Sequence, residues 1–314
     1  MKKVVAAFVV GSSLLTGASV LAAPIEIQGE VSARYVQEKA TETQSGMVYS
    51  VLIAAEYPLG KAWSAYGRLG AQRTNQQQLG ADFNSEYYGD KQTVVAFDQF
   101  GLKFQDANFA YTFGRQAAAV GATALLYSRA DTNIGKKGFV DGISIAGKSG
   151  STSLRGLLAQ EDNPGDRNNK LYALRGEYSF TDQWTGGITL GRYVQREGAS
   201  TNHWGVDGTY RWDKQSLTAE YSQSNSNRDN KALAIVWQYE PDKKTTFAVT
   251  GFRVEANGDM GQQSDFSNNH RGIHYSLTRA LSAKNALELI YKDEKSLADG
   301  SKARSLEVTW SAGF

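Results

Sequence analysis

The sequence predicts an all-β fold, a sixteen-stranded antiparallel transmembrane β-barrel, and three observations predict it. Apolar and polar residues alternate with period two over segments of about 10–13 residues, against roughly 5–6 for a strand of an ordinary globular sheet. The connections between these segments are tight turns and longer polar loops in strict alternation, the layout of a barrel that spans a membrane. Aromatic residues gather beside the tight turns, where a ring with one apolar and one wet side settles at a membrane interface. A soluble β-sandwich also alternates, but it would hold those rings mid-strand, in its core.

The chain opens on a separate object. Met1, Lys2 and Lys3 give a positive start, residues 4–15 are apolar, and residues 16–23 are small and neutral. This is the pattern of a secretory signal peptide. Cleavage after Ala22 leaves Val20 and Ala22 at the two positions that prefer small residues, whereas cleavage after Ala23 would place Pro24 first. The expectation is therefore a signal peptide over 1–22 and a barrel domain over 23–314. The alternative, a retained anchor helix, is disfavoured because the apolar core is short for a span of about 20 residues.

The first strand follows at 25–38, with Ile25, Ile27, Gly29, Val31, Ala33 and Tyr35 on one face and Glu26, Gln28, Glu30, Ser32 and Arg34 on the other. Further along, Tyr172, Leu174, Tyr178 and Phe180 alternate with Ala173, Arg175, Glu177 and Ser179; Trp204, Val206, Tyr210 and Trp212 with His203, Asp207, Thr209 and Arg211; Leu233, Ile235, Trp237 and Tyr239 with Ala232, Ala234, Val236 and Gln238. The last strand is "SLEVTWSAGF" at 305–314. Tight turns fall at 58–61, 105–107, 148–151, 181–183, 213–214, 241–243 and 282–284, and loops at 40–46, 75–91, 116–137, 162–169, 196–201, 225–229, 257–268 and 295–300. Fifteen connections imply sixteen strands with both ends on one side. The aromatics flanking the turns or the last strand's end are Tyr57, Trp63, Phe104, Phe109, Phe180, Trp184, Tyr210, Trp212, Tyr239, Phe247 and Phe314. Lipid offers no hydrogen-bond partners, so the first strand must pair with the last to remove the free edge. Sixteen strands enclose an aqueous channel rather than a packed core.

Composition excludes several functions. With no cysteine there is no disulfide framework, Cys-ligated zinc or Cys nucleophile. Removing 1–22 takes away Lys2 and Lys3 and no acid, which leaves 32 basic and 32 acidic residues. That balance gives no electrostatic reason to expect a nucleic-acid partner. The 32 glycines form no phosphate-cradling motif, and nothing calls for a cofactor or a resident metal.

Over the whole mature chain the sequence resembles the general diffusion porins of Gram-negative outer membranes. The resemblance rests on the first strand "IEIQGEVSARY", the "FAYTFGRQ" strand before the longest loop, and the last strand ending in Phe314. It implies an outer-membrane homotrimer that passes small hydrophilic solutes and ions by passive diffusion, with outer-membrane lipid around it. It implies a third loop, here 116–137, folded into the barrel, and a terminal Phe314 read by the barrel-assembly machinery. One departure is clear: enterobacterial porins carry Pro-Glu-Phe-Gly-Gly in that loop, and this chain reads "QAAAVGATALLYSRADTNIGKK", with one acid, Asp131, and an Ala-rich stretch that could be helical.

A channel needs no reaction chemistry, and its selectivity comes from pore width and lining charge. By strand parity Arg34, Arg68, Arg155 and Arg175 point inward at mid-strand depth, where a permanent charge is tolerated far better than on the lipid face. Opposed to Asp131, they would set a transverse field across a constriction. The alternative is that they only solvate the lumen and pair with Glu26, Glu30, Glu177 or Asp207. Arg115 and Arg192 have outward parity near strand tops. Asp98 and Arg253 share faces with apolar residues, so a bulge at either place, or a subunit contact at Asp98, is left open. His274-Tyr275-Ser276 has the His-x-Ser spacing of outer-membrane phospholipase A, but parity turns His274 into the lumen, against an enzyme of that type. The "EDNPGD" segment at 161–166 is a poor calcium loop and better read as a solvated turn. A substrate-specific sugar or organic-anion channel is the alternative function; such channels line a slide with aromatics, and Tyr66 is the clearest inward ring.

Overall fold

The computed structural model describes residues 25–76, 92–129, 134, 138–163, 168–198 and 200–314. The predicted signal peptide and Asp131 lie outside the described residues. The strands, in chain order, are β1 (Glu26–Lys39), β2 (Thr43–Pro58), β3 (Trp63–Thr74), β4 (Thr93–Gln105), β5 (Phe109–Gln116), β6 (Ala118–Val120), β7 (Tyr127–Arg129), β8 (Val140–Ser149), β9 (Thr152–Glu161), β10 (Lys170–Ser179), β11 (Trp184–Val194), β12 (Thr201–Trp212), β13 (Gln215–Ser224), β14 (Lys231–Asp242), β15 (Thr245–Val254), β16 (His270–Ala280), β17 (Asn285–Ser296) and β18 (Lys302–Gly313). Sixteen of them, β1–β5 and β8–β18, form one closed antiparallel barrel, and β6 and β7 form a separate hairpin. The Ala-rich start of the third loop is thus extended, not helical. Its alanines flank Val120, and β-pairing with Tyr127–Arg129 satisfies the backbone there.

Closure follows from register. β1 pairs with β18 from Glu30↔Gly313 to Lys39↔Arg304, and with β2 from Glu26↔Glu56 to Lys39↔Thr43. Beyond β18, Phe314 N–H donates to Gly29 O at 2.9 Å and Gly29 N–H to Phe314 O at 3.1 Å, so the seam is hydrogen-bonded to its end. Among the described residues no helix is long and apolar enough to cross a membrane.

The two faces invert the pattern of a soluble protein. On β11, Ile188 is 61% exposed while its neighbour Thr189 is fully covered. Outward residues such as Leu190, Val206, Ile235 and Trp310 are exposed, and inward ones such as Ser222, Glu220 and Thr209 are buried. An apolar outer face and a polar inner face suit a cylinder wet inside and greasy outside. Outward rings pack in a belt beside the short turns, with Trp184 and Tyr210 centroids 4.6 Å apart, Trp63 and Phe104 4.8 Å, and Tyr210 and Trp212 5.4 Å.

The tight turns are closed by short polar side chains. Asp106 Oδ1 accepts the N–H groups of Asn108 and Phe109 at 2.8 and 2.7 Å, Thr181 Oγ1 those of Gln183 and Trp184, and Ser282 Oγ those of Lys284 and Asn285. Such side chains mimic a backbone turn. One wall irregularity matters for the pore: the β3–β4 register shifts between Arg68 and Leu69, because Asp98 is an extra residue between Phe97 and Gln99. The bulge turns Asp98 into the lumen although its sequence parity pointed outward. No such shift occurs at Arg253, which stays on the outer face.

Candidate pore site

The third loop leaves β5 at Gln116, whose amide accepts from Ser144 Oγ and donates to Gly142 O at 3.2 Å. It then runs β6, a tight bend, and β7. Gly121 in the bend has φ +103°, and a side chain there would meet the carboxylate of Glu220. Both facts demand glycine. Glu220 projects inward from β13 and receives Thr123 N–H at 2.6 Å and Thr123 Oγ at 2.7 Å. The loop tip is thereby fastened to the far wall.

A second fastening is Glu161, at the top of β9. Its fully buried carboxylate accepts from Tyr127 OH at 2.9 Å, Tyr193 OH at 2.9 Å, Asn163 Nδ2 at 2.7 Å and Asn169 Nδ2 at 2.9 Å, and Arg129 lies 3.5 Å away. Arg129 also bonds Asn163 and Gln263. Glu161 opens the segment read as a solvated turn; it is instead the buried hub that holds β7. Tyr127 and Tyr193 reach it from distant strands, Asn163 and Asn169 from the loop that follows β9, and no local pattern signals the meeting.

Three apolar clusters complete the seat. Val120, Leu126 and Tyr127 pack on the β8–β11 wall with Val140, Leu157, Leu171 and Tyr193; Leu125 packs on Ala232, Ala234 and Phe252 of β14–β15; Ile134 packs on Val48 and Val94. The third loop therefore touches opposite walls of the lumen.

It does so with help from another loop. Residues 256–269, between β15 and β16, also fold inward: Met260 N–H donates to Leu126 O at 2.7 Å, Ser128 N–H to Gln263 O at 2.5 Å, and Asp265 N–H to Ala124 O at 3.3 Å. Met260 is fully buried and Phe266 stacks on Phe252 at 4.9 Å. Within this loop Asp259 is 4% exposed and receives Asn268 Nδ2 at 2.7 Å and Ser264 N–H at 3.1 Å. Burial pushes its carboxyl up to about 6, with those hydrogen bonds pulling the other way. No pattern in the sequence set this second inward loop apart.

All four predicted arginines lie on inward-facing positions, but they do not form one cluster: two sit side by side on one part of the wall and two on another. Arg155 on β9 and Arg175 on β10 are direct cross-strand partners. Arg34 is on β1. Arg68 on β3 is level with Ala54 and, through it, with Gln28, six residues along β1 from Arg34 and so about 20 Å away along the strand. Their partners differ as well. Arg68 forks onto Asp98 at 2.9 and 2.8 Å, with its guanidinium 4.9 Å from the Phe139 ring centroid. Arg175 is clamped between Asp207 and Glu177. Arg34 lies 3.8 Å from Glu307, which Lys292 also approaches at 3.2 Å. Arg155 is exposed to the lumen and makes no ion pair among the described residues. The pairing anticipated for Arg175 is present; Arg68 and Arg34 pair instead with Asp98 and Glu307.

His274 does face the lumen, with Nε2 2.6 Å from Glu294 Oε1 and its ring 4.9 Å from Phe252. Lumen-side rings exceed the sequence expectation: Tyr127, Phe139, Tyr193, Phe252 and Phe266 join Tyr66. All five are under a tenth exposed, used in packing the loops rather than presented to the channel. Outside the barrel, Arg115 is held by Asp141 at 2.9 and 2.7 Å and by Asp162 at 2.7 Å, which explains an outward arginine.

No family model and no curated protein matches the sequence. Solved structures do match the fold. Salmonella typhi OmpF in complex with daunomycin superposes with a TM-score of 0.61 at 12% identity, covering 91% of this chain and 97% of that one. A loop-deletion form of OmpT, an outer membrane protein of Vibrio cholerae, gives 0.59 at 12% identity, covering 93% and 99%. A mutant Rhodopseudomonas blastica porin gives 0.58 at 9% identity, covering 93% and 100%. The chain shares the porin-like barrel fold of these proteins over nearly its full described length.

Proposed function

We propose that the chain forms a water-filled channel of an outer membrane, through which small hydrophilic solutes and ions diffuse passively. The observation that carries this reading is a third loop bolted to the inner wall of a sixteen-stranded barrel whose inward face is polar and charged. A loop held at Glu161, Glu220 and three apolar contacts sets a fixed width, and fixed width is what a sieve requires. Arg34, Arg68, Arg155 and Arg175 line the lumen. Of these Arg155 carries the least compensated charge, so it acts most directly on a passing ion; Asp131 is the acid proposed to oppose it. A substrate-specific channel would present an open aromatic slide, and the buried rings disfavour it. The likeness to porins and the lumen-locked His274 likewise support a channel over an enzyme. By the same reading the protein is a homotrimer, exported by its signal peptide and inserted by the barrel-assembly machinery. The test is planar-bilayer recording of the purified protein: stepwise conductance with three-level closure is expected, and an electrically silent barrel overturns the proposal.

A further inference from the structure

On the outer face, where β15–β18 meet the long-loop end, the ladder pairs like charge with like charge. Arg253 is directly opposite Arg271, Arg271 opposite Lys295, and Lys295 opposite Lys302. Four adjacent strands thus carry one unbroken cationic row, about 15 Å long at the usual strand spacing. Arg304 and Lys39, themselves cross-strand partners, extend it toward the seam. Like charges directly opposite destabilise a sheet. The row is not a by-product of bulk charge either, since the mature chain has equal numbers of acids and bases.

The acids near the row pair with its ends and leave its middle uncompensated. Glu255 engages Arg253 at 3.2 Å, and Asp293 engages Arg304 at 3.3 Å. Asp299, in the loop above, is taken up by Ser301. Arg271, Lys295 and Lys302 make no ion pair among the described residues. Directly below the row the outer face turns apolar: Ile273 and Tyr275 follow Arg271 on β16, Tyr291 follows Asp293 on β17, and Leu306 and Val308 follow Arg304 on β18. The Tyr275 and Tyr291 rings lie 6.2 Å apart, at the level where amphipathic rings meet headgroups.

We infer that this row is a binding surface for the phosphorylated headgroups of lipids in the leaflet around the long-loop end of the barrel. A soluble polyanion would have no reason to sit at the rim of an apolar girdle, whereas a lipid phosphate is anchored at that height. Arginine forks suit phosphate oxygens, lysine supplies point charge, and both keep their stems on the apolar band. Juxtamembrane cations are the usual attractor for an anionic lipid surface. The proposal needs the barrel in a membrane but not an open pore, so it stands apart from the channel reading.

The test is native mass spectrometry of the purified barrel in neutral detergent, titrated with bisphosphorylated lipid A, with its dephosphorylated form, and with inorganic phosphate. The wild type is expected to bind the phosphorylated lipid in preference to the other two. Combined Arg271→Glu, Lys295→Glu and Lys302→Glu should weaken that binding by about tenfold or more. The same charge change at the opposite end, Lys61→Glu, Lys243→Glu and Lys284→Glu, should leave it unaltered. If the reversed variant does not fold, the milder pair Arg271→Gln and Lys302→Gln decides, with a smaller loss in the same direction. Wild-type affinity in a folded row variant, equal binding of the dephosphorylated lipid, or inorganic phosphate binding as tightly as the lipid would each overturn the inference.

Discussion

Glu161 and Arg155 show how differently two inward charges of one strand act at different depths of the lumen. Glu161 accepts from four side-chain donors, so Glu161→Gln keeps its shape and removes its charge from Arg129 and the two tyrosine hydroxyls. Breaking a buried ionic contact by removing one partner costs about 3–5 kcal/mol, here taken from the seat of the third loop rather than from the barrel. The expected result is larger and noisier single-channel current, with the barrel's heat-modified mobility in detergent unchanged. Arg155→Ala removes a charge that makes no close ion pair among the described residues and whose attraction to Glu177 and Asp207 is opposed by its repulsion from Arg175. It should shift the reversal potential in a salt gradient toward cation preference and leave stability within about 0.5 kcal/mol. Arg175→Ala would instead strand Asp207 and Glu177, so its loss shows first in stability. The face each arginine takes was legible in the sequence, because parity is local. Their partners were not: Asp98 reaches Arg68 through a bulge, and Glu307 meets Arg34 across the closing seam.

Among the elements, the inward loop at 256–269 carries a carboxyl whose protonation is coupled to its buried seat. Asp259 has its native pKa raised to about 6 from 3.8 by burial. The native loop therefore binds a proton more tightly than the released loop does, and stability linked to Asp259 is full below pH 3.8 and is lost as pH rises through about 6. Ser264 and Asn268 face the carboxyl directly. Cleavage of this loop by an added protease should accelerate between about pH 4 and pH 6, about tenfold or more for a shift of this size, and Asp259→Asn should flatten the profile at its slow limit. Nothing in the sequence marked this loop as different from its neighbours. It has the same polar composition as the loops that stay outside, and only Met260 and Phe266, each an isolated apolar residue, hint at a buried seat. The third loop was legible in place but not in form, since its apolar residues serve a short hairpin that finds its partners on three walls.

For the whole molecule, the barrel was readable because one simple rule repeats: a period of two, broken alternately by short and long connections. Sixteen repetitions average out the local exceptions at Asp98 and Arg253, and strand bounds hold even where single side chains surprise. What holds the cylinder shut is the β1–β18 seam, finished by the paired hydrogen bonds of Gly29 and Phe314, with the Phe314 ring lying over Gly29. Deleting Phe314 removes both bonds and the ring. The amount of barrel assembled in cells should fall several-fold while the unit conductance of the molecules that do assemble stays the same; normal assembly would show that the residue is no assembly signal. The seam also imposes an order in time. Every other pairing in the wall joins strands that are neighbours in the chain or separated by a single loop, so each hairpin is a cheap local closure. Glu30 and Gly313 stand at opposite ends of the chain, and bringing them together carries the largest loop-closure entropy in the molecule. The cylinder is therefore a structure that exists only once its last strand has arrived, and until then the unsealed sheet carries two edges of unpaired backbone groups open to wrong pairings.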